Sequence, residues 1–124
     1  MIWAADCAEH VLQYFEKAYP RDDRPRKAIE AGRAWARGEI TVGEARTAAL
    51  AAHAAARNAE HPAARAAARA AGHAAGTAHA AGHAPHAANY AAAASEAAGV
   101  TGEREWQYLH LPKRLGAAKK KMVR

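Results

Sequence analysis

The chain has little of what small proteins commonly use to brace themselves or to catalyse. A single cysteine, Cys7, excludes an internal disulfide, and it reads as a small buried hydrophobe. Serine also occurs once, at Ser95, in the string Ala94-Ser95-Glu96, which lacks the glycines of a nucleophile elbow. No glycine-rich phosphate loop and no HExxH pair is present. The acids fall near helix starts or on polar faces, where they favour the N-terminal dipole, so no gathered carboxylates suggest two-metal hydrolysis. Long apolar runs are missing too, because Arg57, Arg65 and Arg69 interrupt the alanine stretches short of bilayer length. Met1-Ile2-Trp3-Ala4-Ala5 leads into Asp6 and Glu9 and not into a signal-type apolar segment, so a cytoplasmic protein with no membrane span is expected.

Large apolar side chains are scarce and collect at the two ends. Val11, Leu12, Tyr14, Phe15 and Tyr19 lie early, and Trp106, Tyr108, Leu109, Leu111 and Leu115 late. A core made from them requires both ends to fold over the middle, and burial of each Leu or aromatic is worth roughly 1.5–3 kcal/mol against well under 1 for an alanine methyl. Charge is similarly uneven. The chain carries +6 with a pI near 9.8, but Lys113, Arg114, Lys119, Lys120, Lys121 and Arg124 account for that excess, leaving a nearly neutral body. No aromatic residue is interleaved after Tyr108 to stack a base, so the tail reads as a solvated terminus and nucleic acid is not the expected partner.

What the chain has in abundance is alanine, 40 of 124 residues, nearly continuous from Ala45 to Ala98. Alanine is the best helix former and its small side chain lets helices approach closely. A first helix is predicted over Ala4 to Ala18, stopped by Pro20. A second follows Asp22 and Asp23 as N-cap, has Pro25 in its first turn and runs to Gly38, with Ala28, Ile29, Gly32, Trp35 and Ala36 on its apolar face. Thr41 and Glu44 have capping-box spacing for a third helix over Val42 to Asn58. On it Arg46, Leu50, His53 and Arg57 share one stripe, and Ala45, Ala48, Ala49, Ala52 and Ala56 another. Pro62 opens a fourth helix, predicted to reach at least Ala84. Pro85 kinks it or starts a fifth, through Tyr90 to Ala98 with a stop at Gly99, and a last helix spans Gly102 to His110. The fold class is therefore all-α: a compact, alanine-rich bundle of five to six helices over residues 1–112, then a basic tail over 113–124.

Arg65, Arg69, Gly72, Gly76, His79 and His83 share a narrow arc of the fourth helix, with His73 at its edge. Gly72 and Gly76 form a small-xxx-small pair that admits a ring against the helix backbone, and Trp35 and Trp106 are the natural candidates to fill that groove. His79, His83 and His86 have i, i+4, i+7 spacing, which on an unbroken helix would offer three imidazoles to one divalent metal. Pro85 disturbs that geometry and no thiol partner exists, so the histidines are read as gap-filling, hydrogen-bonded side chains. No cofactor is expected.

The strings Cys7-Ala8-Glu9-His10-Val11-Leu12, Tyr19-Pro20-Arg21-Asp22-Asp23-Arg24-Pro25-Arg26-Lys27-Ala28-Ile29-Glu30-Ala31 and Ala34-Trp35-Ala36-Arg37-Gly38-Glu39-Ile40 resemble the Imm-5-like family of bacterial immunity proteins. Ala70-Ala71-Gly72-His73-Ala74, Thr77-Ala78-His79, Glu105-Trp106-Gln107 and His110-Leu111-Pro112 look like its closing segments, and the match runs from about Cys7 to Pro112. The Asp-Asp-Arg-Pro-Arg block is its most specific part. The resemblance implies an all-helical protein encoded beside a polymorphic toxin, which it neutralises by binding and not by catalysis. Some relatives carry an exonuclease-subunit label, but nothing in this sequence supports a nuclease or the ATP-binding parts such a subunit needs. A partner surface is expected on Arg65, Arg69, His73, His79 and His83, with Arg24 and Arg26 nearby, where positive charge would speed association with an acidic toxin patch. Alanine faces can also join two copies of a chain, so a homo-oligomer is compatible with the composition.

Overall fold

The computed structural model describes residues 2–78 and 83–111. These form six helices, α1 (Ile2–Ala18), α2 (Arg24–Ala36), α3 (Val42–Asn58), α4 (Pro62–Gly76), α5 (His83–Ala97) and α6 (Glu103–Leu109), with no strand among the described residues. His79 and the basic tail from Lys113 onward lie outside them. None of the helices is long and apolar enough to cross a membrane.

Helix α4 is the axis of the bundle: α1, α2, α3 and α5 all pack on it. Ten of its fifteen residues are buried, and every one is alanine or glycine. Close approach is the reason. Where α2 crosses α4, a Cβ on Gly32 would stand 3.3 Å from the Ala74 carbonyl oxygen, so the two backbones nearly touch. The bulk comes largely from the two ends, as the sequence implies. Val11, Leu12 and Phe15 of α1 are buried, and so is Leu111. The indole Nε1 of Trp3 donates to the Gln107 carbonyl at 2.9 Å, and the fully buried Gln107 amide donates to the Ala88 carbonyl at 2.8 Å, tying α6 to both α1 and α5. Leu109 departs from the expected core, being 65% exposed. Leu111, two residues on, is buried instead.

The caps follow the sequence with two corrections. Glu44 N donates to Thr41 Oγ1 at 3.1 Å and Thr41 N donates back to Glu44 Oε1 at 3.2 Å, completing the capping box at the start of α3. Asp23 occupies the N-cap position of α2 but its side chain makes no cap bond; Asp22 instead accepts from the Arg24 backbone N–H and guanidinium. The fourth helix does not reach Ala84. It ends at Gly76, where the Thr77 and Ala78 N–H groups bond three residues back and Thr77 Oγ1 donates to the Ala74 carbonyl at 2.7 Å, tightening the last turn. α5 then begins at His83, and Pro85 falls in its first turn, where a missing N–H costs nothing.

Candidate functional site

With α1, α2, α3 and α5 around it, α4 exposes only one strip, carrying Pro62, Arg65, Ala66, Arg69 and His73. Side chains from α3 and α5 lean over this strip at its two glycines. A Cβ on Gly72 would stand 2.6 Å from the His53 ring, and one on Gly76 would stand 3.0 Å from the His83 ring. The small-xxx-small pair therefore cradles two imidazoles. Trp35 and Trp106, expected in that groove, are elsewhere: Trp35 is half-buried on α2 and Trp106 stacks between His10 and His110, with centroids 3.7 and 4.0 Å away. Each histidine ring is smaller than an indole and reaches α4 from a neighbouring helix already packed against it.

His73 is the hub. Its ring lies 4.9 Å from His53, 5.0 Å from His83 and 5.3 Å from His86, and stacks on Tyr90 at 5.2 Å with an interplanar angle of 8°. The Nδ1 atoms of His73 and His83 are 2.8 Å apart, so one ring donates its proton to the other. Burial, followed by the neighbouring His53, His83, His86 and Arg69, pushes the His73 pKa down to about 4. Burial also lowers that of His53, with Arg69, His83 and Arg57 adding to the effect. The charged groups acting on these two rings are all bases.

The same face is rich in unopposed guanidinium groups. Arg46, Arg57, Arg65 and Arg69 form no ion pair among the described residues. Arg65 turns its Nε and Nη2 to the Ala59 carbonyl, at 3.0 and 2.8 Å, which closes the α3–α4 corner. Leu50 stands 60% exposed on the α3 stripe that also carries Arg46, His53 and Arg57. Arg65, Arg69, His73 and His83 are thus brought together as the sequence suggested. Arg24 and Arg26 are not: Arg24 is bound to Asp22, and Arg26 makes two 2.7 Å hydrogen bonds to Glu16 of α1. Sequence reasoning left out His53 and Tyr90 from this group. His53 was visible on the α3 stripe, but nothing local shows which ring meets Gly72.

A second polar arrangement joins α1, α2 and α6 around a shallow cavity of about 430 Å³ lined by Asp6, Glu9, His10, Arg33, Trp106 and His110. His10 Nδ1 meets Glu103 Oε1 at 2.7 Å, and that carboxylate is almost wholly buried beside Ser95 and Gln107. Arg33 clasps both Asp6 and Glu9. Here the acids meet basic or hydrogen-bonding partners on neighbouring helices, which suits joining them. Cys7 is buried nearby with its thiol pKa pushed up to about 12 by burial, then by Glu103 and Asp6, so it is no nucleophile at neutral pH.

One family model, described as Imm-5 like putative immunity protein, matches residues 1–114, and the chain belongs to that family. No curated protein and no solved structure matches it.

Proposed function

We propose that this family member neutralises a cognate bacterial toxin by binding it directly, without catalysis, and that the docking surface is the α3–α4–α5 face carrying Arg46, Leu50, Arg57, Arg65, Arg69, His73 and His83. The observation that carries the reading is the set of four arginines on one face that form no ion pair among the described residues, around an exposed leucine. Such a surface favours an acidic partner and speeds encounter, and a solvent-exposed leucine supplies the apolar contact that slows release. The family name supports an immunity role and names no chemistry. The single serine and the inert Cys7 thiol agree with a binding role.

The test is binding to the purified product of an adjacent toxin gene, across a salt series. Association should slow at least tenfold between low and high salt, and R65E combined with R69E should slow it similarly at low salt. Leu50→Asp should chiefly raise the dissociation rate. Tight binding that is indifferent to salt and to R65E/R69E would move the interface off this face, and no binding at any ionic strength would end the proposal.

A further inference from the structure

Four imidazoles lie at the centre of the proposed docking face, delivered by three helices: His53 by α3, His73 by α4, and His83 and His86 by α5. They do not form a metal centre. The triad that sequence spacing offered, His79 with His83 and His86, does not share one helix, because α4 ends at Gly76 and α5 begins at His83; His79 lies outside the described residues. Among the described residues no three His, Cys, Asp or Glu side chains are placed to hold an ion, and the tip of the His53 ring is packed against Gly72. What the four rings share is their electrical surroundings.

Imidazole is the side chain most readily charged near neutral pH, and here the free protein works against that charge. His53 and His73 are half-buried. Among the described residues the titratable and charged groups facing them are Arg57 of α3, Arg69 of α4, and His83, His86 and Tyr90 of α5. The one ion pair of a histidine with an acid among the described residues is His10 with Glu103, on the α1–α6 side. An acidic partner set among Arg57, Arg65 and Arg69 reverses the sign of this environment. Its carboxylates cancel the repulsion from the guanidinium groups and attract a proton directly; an opposite charge within about 4–6 Å strengthens proton binding roughly tenfold to a thousandfold. Docking also buries the rings further, which opposes protonation. They are half-buried already, however, whereas the carboxylates are new.

Given the docking face proposed above, on which this rests, we propose that an acidic partner draws a proton from solvent onto the cluster of His53, His73, His83 and His86 as it docks, so that the complex tightens as pH falls. Geometry limits the count. The Nδ1 atoms of His73 and His83 are 2.8 Å apart, and that bond needs one donor and one acceptor. A first proton is compatible with it, because an imidazolium on one ring donates to the bare nitrogen of the other; a second would set two N–H groups against each other. The pair therefore takes up one proton and not two. The sign follows from linkage: the rings bind protons more tightly in the complex than in the free protein, where the His73 pKa is about 4. Affinity is then lowest at alkaline pH, rises as pH falls through the raised value of the bound rings, and levels off near pH 4. Over the same range the free chain loses the stability of its neutral His73, so in acid the partner offsets what the free chain gives up.

The experiment is calorimetry of full-length protein with the purified product of the adjacent toxin gene, at about pH 6 in two buffers of different ionisation heat and again at about pH 8. The heat should differ between the buffers by an amount equal to about half a proton or more taken up per complex, and Kd should be about twofold or more lower at the acid end. His73→Gln keeps a hydrogen-bonding side chain without the titration. With its fold checked by circular dichroism, it should remove at least about half of the uptake while leaving Kd at the alkaline end within about twofold of wild type; a merely structural role would weaken binding equally at both ends. His61→Gln, at the start of α4 and outside the cluster, should leave the proton count unchanged. NMR of the His73 ring, a readout that needs no variant, should show it titrating at higher pH in the complex than in the free protein. Binding with the same heat in both buffers, an unmoved His73 titration, or full uptake in folded His73→Gln overturns the proton linkage and leaves the docking face standing. Absence of binding at any ionic strength removes the docking face, and the linkage with it.

Discussion

Two sides of one small bundle treat arginine in opposite ways. Along α1 and α2 most positive charges are answered, with Lys17 and Arg21 the exceptions: Arg26 by Glu16, Arg33 by Asp6 and Glu9, Lys27 by Asp23, Arg24 by Asp22, and Arg37 by Glu39. Across α3 and α4, Arg46, Arg57, Arg65 and Arg69 form no ion pair among the described residues, and neutral imidazoles lie among them. A pair that is satisfied internally has little left to offer a partner, whereas a guanidinium without an acid keeps its charge for one, even where, as at Arg65, it also bonds a backbone carbonyl. The contrast separates the part of the surface that braces the fold from the part proposed for recognition.

The largest test of the division is in the core. Phe15→Ala on α1 should cost about 3–5 kcal/mol, while Leu50→Ala on α3 should change stability by no more than about 0.5 kcal/mol, both read by urea denaturation. Similar losses at the two sites would show that Leu50 belongs to the core and not to the recognition face. Next comes the glycine cradle. Gly72→Ala should destabilise by about 1–2 kcal/mol, less whatever alanine's helix propensity returns, and His53→Ala in the same chain should recover most of the loss. A double-mutant cycle with no coupling would separate the ring from the glycine.

Acid should divide the two sides as well. His73 has a folded pKa of about 4 against an ordinary 6.5, so between these values the unfolded chain binds more protons than the folded one. The stability it contributes is present above about pH 6.5 and is lost as pH falls towards 4, as thermal melts at stepped pH should show. Glu16 and Asp22 are held below their usual range chiefly by hydrogen bonds from Arg26 and Arg24, so their contribution is present above the ordinary values of 4.5 and 3.8 and is lost as pH falls below them. Arg69→Ala should lift the His73 titration, followed by NMR, because it removes a neighbouring positive charge. A small effect is expected at the braced edge too: Arg26→Ala should cost no more than about 1 kcal/mol, less in high salt, because that pair is exposed.

The elements with local signals were legible in the chain itself. Thr41 and Glu44 announce a capping box, Pro62 and Pro85 each mark a first turn, and a 3.6-residue period places Arg65, Arg69 and His73 along one strip. What escaped depends on contacts between helices. Alanine continues with the same period on both sides of Gly76, so nothing nearby announces that α4 stops there. Gly72 shows that something comes close, but its occupant is set by how α3 docks, and His53 took the place expected of an indole. Arg26 looked available until α1 brought Glu16 alongside it.

Helix α4 touches its neighbours with methyls and bare backbone, leaving its interior almost no tolerance for a larger substitution. The outward residues of α3 and α5 are under no such restriction. Sequence change in such a chain is therefore confined to those outer side chains, while the spine stays as it is.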